Sequence, residues 1–159
     1  MPPLPWADLI GAWQAALNLS AALVAQTQGA PGQRRVCSMS DALDEAQSLL
    51  RAQYKHDQKK PTHGSNLFSG VYPCYRLYRA GCGKRVAVGA IEEKFWIKVC
   101  AILGLPQFGA DRMASGDRGA FVSQQIAEAF VRRPWREWDP LFDEADCCVE
   151  PVIEYSEMK

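Results

Sequence analysis

Apolar positions crowd the start of the chain at helical spacing. Between residues 9 and 26, Ile10, Trp13, Leu17, Leu19, Leu23 and Val24, with Trp6 just ahead of them, nearly encircle one helix and leave a narrow polar strip of Gln14, Asn18 and Gln26. Asp8 stands before this stretch as its expected N-cap. The run is short for a bilayer span and is broken by Gln14, Asn18 and Ser20, so it reads as a buried helix needing cover on more than one side, not as an anchor. Gly29, Pro31 and Gly32 then turn the chain into a short strand expected over 34–38. Leu43, Ala46, Leu49 and Leu50 predict a second helix starting near Ser40, whose hydroxyl can cap the first turn.

The periodicity fails from 54 to 69. This stretch is polar, basic and rich in breakers, and it marks a boundary between a helical arm with a short strand at 1–53 and a small α+β domain at 70–159. Alternation returns at 74–79 and 85–89, where Tyr75 and Leu77 share one face and Val86 and Val88 form another alternating set. The intervening Ala80-Gly81-Cys82-Gly83-Lys84 closes a β-hairpin. A helix over 92–103 follows, with Phe95, Val99 and Leu103 at spacing four and Gly104 in the stop position. Another covers 119–131 with Phe121, Ile126 and Phe130 inward. Pro134 ends it, and Trp135, Trp138 and Phe142 belong to a short helix before a tail strand that takes in Cys147, Val149 and Pro151. The fold class read from this pattern is α+β: a long helical arm plus a small domain of a β-hairpin and helices.

With 159 residues the chain is long enough for a core, and 18 basic against 18 acidic residues leave no field to steer nucleic acid or hold a membrane surface. The six cysteines form no Cys-x-x-Cys pair, so no metal site is expected, and adjacent Cys147 and Cys148 would point to opposite faces of a strand. Without a basic leader at the first residues, the cysteines read as buried thiols of a cytoplasmic protein.

Four segments, in order, carry a family resemblance. They are Pro2-Pro3-Leu4-Pro5-Trp6-Ala7-Asp8-Leu9; Gly32-Gln33 with the following Ser38-Met39-Ser40-Asp41-Ala42; Val88-Gly89-Ala90-Ile91-Glu92 with Phe95; and Ala145-Asp146-Cys147-Cys148-Val149-Glu150-Pro151-Val152. Together they resemble the middle and small-domain portion of the family III CoA-transferase and α-methylacyl-CoA racemase superfamily. Members of that family are more than twice as long, and the resemblance implies that the catalytic aspartate, its histidine partner in racemases and most of the CoA site lie outside this sequence.

The resemblance gives Glu92 a supporting role: it would orient a catalytic histidine of the other subunit without abstracting the α-proton. Position alone allows the plainer reading, a carboxylate at a helix start that stabilises its own helix by roughly 0.3–1 kcal/mol. Lys55, Lys59 and Lys60, with His56 and His63 nearby, would suit the phosphates of CoA; a mobile charged linker is the plainer account. Expected in consequence are a CoA thioester as ligand, no other required cofactor, and a homodimer or a separate subunit carrying the catalytic half. The expected function is kinship to 2-methylacyl-CoA epimerisation or CoA exchange, without activity in the chain alone. The competing reading is a dimerising or ligand-binding module.

Overall fold

The computed structural model describes residues 4–62 and 64–158, so Pro2, Pro3 and His63 lie outside it. It divides into two compact units, Met1–Pro61 and Thr62–Lys159.

In the first unit, helix α1 runs Trp6–Thr27, α2 Met39–Ala46 and α3 Ser48–Asp57. Gly11 is the buried residue of α1, because α2 begins against it: a Cβ there would meet Met39 Cγ at 2.8 Å. The polar strip faces the same way. Gln14 donates to Glu45 of α2 at 2.8 Å, and Arg35 in the connecting segment donates to Asn18 at 3.2 Å. The apolar girth is thereby left outside, with Trp13, Leu17 and Leu19 each more than 60% exposed. Within this unit α1 packs through Gly11 and the narrow polar strip, and its apolar girth lacks the cover on more than one side that the sequence calls for.

Three local expectations also change. The cap of α1 is Pro5, with Asp8 in the first turn, since proline's fixed φ already suits a helix start. Ser38, not Ser40, caps α2, accepting from the Asp41 amide at 3.2 Å. The 34–38 segment is no strand among the described residues, for no ladder partner lies beside it, and α3 carries helix into the stretch expected as linker as far as Asp57.

The second unit holds an antiparallel sheet of β1 Tyr75–Arg79, β2 Arg85–Gly89 and β3 Val149–Pro151, in that order across the sheet. The register pairs Tyr78 with Val86 and Val88 with Val149. Cys74, Tyr78, Val86 and Val88 all point to one face, which is sealed by α4 Glu93–Ile102, α5 Gly116–Val131 and α6 Trp135–Ala145. Inside, Phe130 stacks on Tyr78 and on Phe142 at centroid distances of 5.4 and 5.7 Å. This is the α+β architecture read from the sequence.

The end of α4 follows from its glycine. Gly104 sits at φ +72, the Leu105 amide reaches back to Cys100 O at 2.8 Å, and the Gly104 amide to Ala101 O at 3.0 Å, which is a Schellman stop. The buried stripe of α4 is Trp96, Val99, Cys100 and Leu103, so Phe95 is only half-buried. On α5, Phe121 is exposed, and Val122, Ile126, Ala129 and Phe130 fill the core.

Candidate functional site

Glu92 owes its position to the end of β2. Gly89 donates to Cys148 O at 2.8 Å, tying β2 to the segment that leads into β3, and the Ile91 amide turns back to Gly89 O at 3.0 Å. Ala90 is buried completely, which fixes the corner. Glu92 then becomes the N-cap residue of α4, with φ −72 and ψ 138, and its carbonyl accepts the Phe95 and Trp96 amides at 3.0 and 3.1 Å.

Its side chain makes no capping bond and is exposed. The expectation that this carboxylate meets the free first-turn amides is corrected here: the chain caps α4 with the Glu92 carbonyl alone, and Glu93 is the acidic residue of the first turn. The Glu92 carboxylate is therefore not held by a hydrogen bond to its own helix.

Beside it, the face of the sheet turned away from the core forms an apolar groove of roughly 560 Å³ lined by Phe68, Tyr75, Leu77, Ala87 and Gly89, with Cys148 and Glu150 at the β3 side. Phe68 meets Tyr75 edge to face, centroids 5.4 Å apart. Cys148 occupies the left-handed region at φ +60, as Asp146 does at φ +46, a conformation uncommon for side chains other than glycine. The twist sends neighbouring thiols opposite ways: Cys147 is buried and Cys148 exposed at the groove. Partial burial, then the charges of Glu92 and Asp146, raise the Cys148 thiol pKa, with Lys94 working against them. Glu92 thus lies within electrostatic reach of the groove's Cys148 side.

The lysines expected to meet CoA phosphates belong to the other unit. Lys55 is in the last turn of α3, Lys59 and Lys60 follow it, and all three are exposed. Only Lys60 helps line a shallow pocket, with Arg51, Tyr54, Leu50, Gln47 and Pro61. Arg51 is paired there with Asp44. His56 Nδ1 lies 2.7 Å from Asp57, whose carboxyl it holds below the ordinary range. Among the described residues no three of His, Cys, Asp and Glu gather as metal ligands. The groove residues Phe68, Tyr75, Leu77 and Cys148 were not singled out as a site from the sequence, although strand alternation had already set Tyr75 and Leu77 on one face.

Human α-methylacyl-CoA racemase is 30% identical over 148 residues, covering 93% of this chain and 39% of its own length; a CaiB/baiF CoA-transferase family protein of Caenorhabditis elegans is 29% identical over 163 residues, covering 98% and 46%. The chain therefore spans less than half the length of these curated relatives. In fold it is similar to a CaiB/BaiF family protein of Brucella suis, with a TM-score of 0.66, 13% identity and coverage of 99% of this chain and 42% of that one. A Mycobacterium tuberculosis structure matches at 0.70 and 17%, covering 98% and 41%. The family model of CoA-transferase family III matches residues 1–159 from end to end, and this chain belongs to that family.

Proposed function

We propose that this chain is the portion of an acyl-CoA racemase or CoA-transferase that contributes an orienting carboxylate and an apolar wall to an active site, and that it is inactive alone. The observation that carries this reading is the unengaged Glu92 carboxylate at the start of α4 beside an apolar groove. A branched acyl chain suits the Phe68, Tyr75 and Leu77 surface, while its thioester-bearing end lies toward Glu92. Epimerisation at C2 removes the α-proton to leave an enolate and returns a proton to the opposite face. That needs a base and an acid on either side of one carbon; the carboxylates here are Glu150 in the groove lining and Glu92 within electrostatic reach of its Cys148 side. Glu92 accepts a hydrogen bond from a basic side chain brought by other sequence and fixes its orientation. A CoA thioester is the ligand of this reading, and Lys55, Lys59 and Lys60, solvated in the first unit, take no part in the groove.

The exposed girth of α1 favours a covering polypeptide, either a second copy or a separate subunit that carries the remainder of the family fold. At 22 residues α1 is, by length and composition only, long and apolar enough to cross a membrane, which corrects the expectation of a run too short to span. A protein-facing role suits it better, because Gln14 and Asn18 at mid-helix are already committed to Glu45 and Arg35.

Exchange of the α-proton of a 2-methyl-branched acyl-CoA in deuterated water tests the proposal. The chain alone should bind the thioester in a calorimetric titration yet incorporate no deuterium. Mixed with a polypeptide bearing the rest of the family fold it should incorporate deuterium. Glu92→Gln should then slow exchange by less than the roughly 10²–10⁴-fold that loss of the acid or base itself costs. Deuterium incorporation by the chain alone, or silence toward every thioester, would sink it.

A further inference from the structure

The edge of β1 is open in a way that the edge of β3 is not. Gly89 donates to Cys148 O at 2.8 Å and Val152 to Arg85 O at 2.9 Å, so the odd-numbered residues of β2 bond toward β3 and its even-numbered residues toward β1. Ala80, donating to Lys84 O at 2.9 Å, continues the even set on β1. By that alternation the amides and carbonyls of Leu77 and Arg79 point away from the sheet. On the opposite side Pro151 faces Val86 in a position that exchanges no bonds, and its missing N–H blunts the outer edge of β3.

Along the open edge runs a groove of roughly 550 Å³ between β1 and α5. Its α5 wall is Ala120, Gln124, Ala127 and Val131, small enough near the strand to admit side chains. Its charged members are Arg76 and Arg79, and no carboxylate lines it. Two arginines on a strand edge oppose pairing with another copy of the same edge, and they favour an incoming strand of opposite charge.

We propose that this groove docks an extended acidic peptide segment of a partner protein, which joins β1 as a fourth strand. Its backbone bonds to Leu77 and Arg79, alternate small apolar side chains rest on Ala120 and Ala127, and its carboxylates, on the other face, meet Arg79, while Arg76 stays on the α5 side over the Tyr78 ring. The mode does not rest on the acyl-CoA reading, although the two grooves share Arg76 and Leu77: this one follows β1's open edge, and the other lies on the outer face of the sheet.

A fluorescein-labelled peptide of alternating Glu and Val, titrated into the whole chain by anisotropy, tests this against its Lys and Val counterpart. The acidic peptide should bind and the basic one should not. Arg79→Glu, at an exposed position, should weaken binding about tenfold or more, and so should N-methylation of alternate peptide amides, which leaves the protein untouched. Amide exchange at Leu77 and Arg79 should slow on binding. Absence of binding, equal binding of both peptides, indifference to N-methylation, or protection arising elsewhere overturns the proposal. If Leu77 and Arg79 are protected without peptide while light scattering gives a dimer, the edge takes a second copy and the proposal is equally overturned.

Discussion

Trp96 and Trp138 solve the same problem at two points of the core. Both are shut off from water, and both indoles still donate, Trp96 to Phe108 O at 2.8 Å and Trp138 to Phe130 O at 3.0 Å. The apolar ring stabilises by burial, and the N–H satisfies a carbonyl that water cannot reach. Trp96→Phe should therefore cost about 2–4 kcal/mol, combining lost volume with one lost hydrogen bond, since Phe108 O keeps only the Asp111 amide at 2.9 Å, and should lower the urea midpoint without changing the slope. The thiols of Cys100 and Cys147 add a pH dependence. Burial pushes them up to about 12 and about 11, from an ordinary 9.0. Above pH 9 the unfolded chain sheds these protons while the folded one keeps them, so stability present below that pH is lost as pH climbs toward 11. The expected slope is about 1.4 kcal/mol per pH unit for each thiol, and denaturation series at stepped alkaline pH measure it, with Cys100→Ala removing one share. None of this partnering is written in local sequence. That Trp96 and Cys100, not Phe95, form the α4 stripe depends on which side of the helix meets the sheet, and spacing-four periodicity marks a row without saying which neighbour it faces.

At the scale of elements, the hairpin was the most legible part. Alternation and a glycine-bearing loop are local signals, and the strand limits found, Tyr75–Arg79 and Arg85–Gly89, follow them. The stop of α4 was legible for the same reason, and it offers a clean test. A Cβ on Gly104 would touch nothing within 4 Å, yet its φ of +72 is costly for any other residue. Gly104→Ala should thus destabilise by about 1–2 kcal/mol from backbone conformation alone, a loss read from the shift in thermal midpoint, and Gly104→Asn should recover part of it. Segments whose state depends on distant partners misled. Residues 34–38 have strand-like residues and no ladder, and Phe121 has the bulk of a core residue while it lies exposed against Phe108, centroids 6.0 Å apart. The candidate site shows the same division: the corner delivering Glu92 could be read from its residues, whereas the groove beside it joins positions as far apart as Phe68 and Glu150.

Across the whole molecule, the two units differ in how they are held. The second has a continuous core from Cys74 to Val149, and salt bridges Lys84 to Glu157 and Arg85 to Glu154 tie its tail to β2. In the first unit only Gly11 and Ala42 are buried among the described residues. Limited proteolysis of the whole chain should therefore cut first before residue 62 and leave a resistant body holding the sheet and α4 to α6, as mass spectrometry of the fragments would reveal; a fragment retaining α1 and lacking the sheet would contradict this ordering. The exposed α1 has a further consequence, because its outer surface carries two of the five indoles. Trp6 and Trp13 emit from water, while Trp96 and Trp138 emit from a dry interior. With Trp135 half-buried between them, the molecule contains its own optical gauge: anything that wraps α1 shifts the long-wavelength component of the emission to the blue and shields it from a soluble quencher, while the short-wavelength component stays as it was.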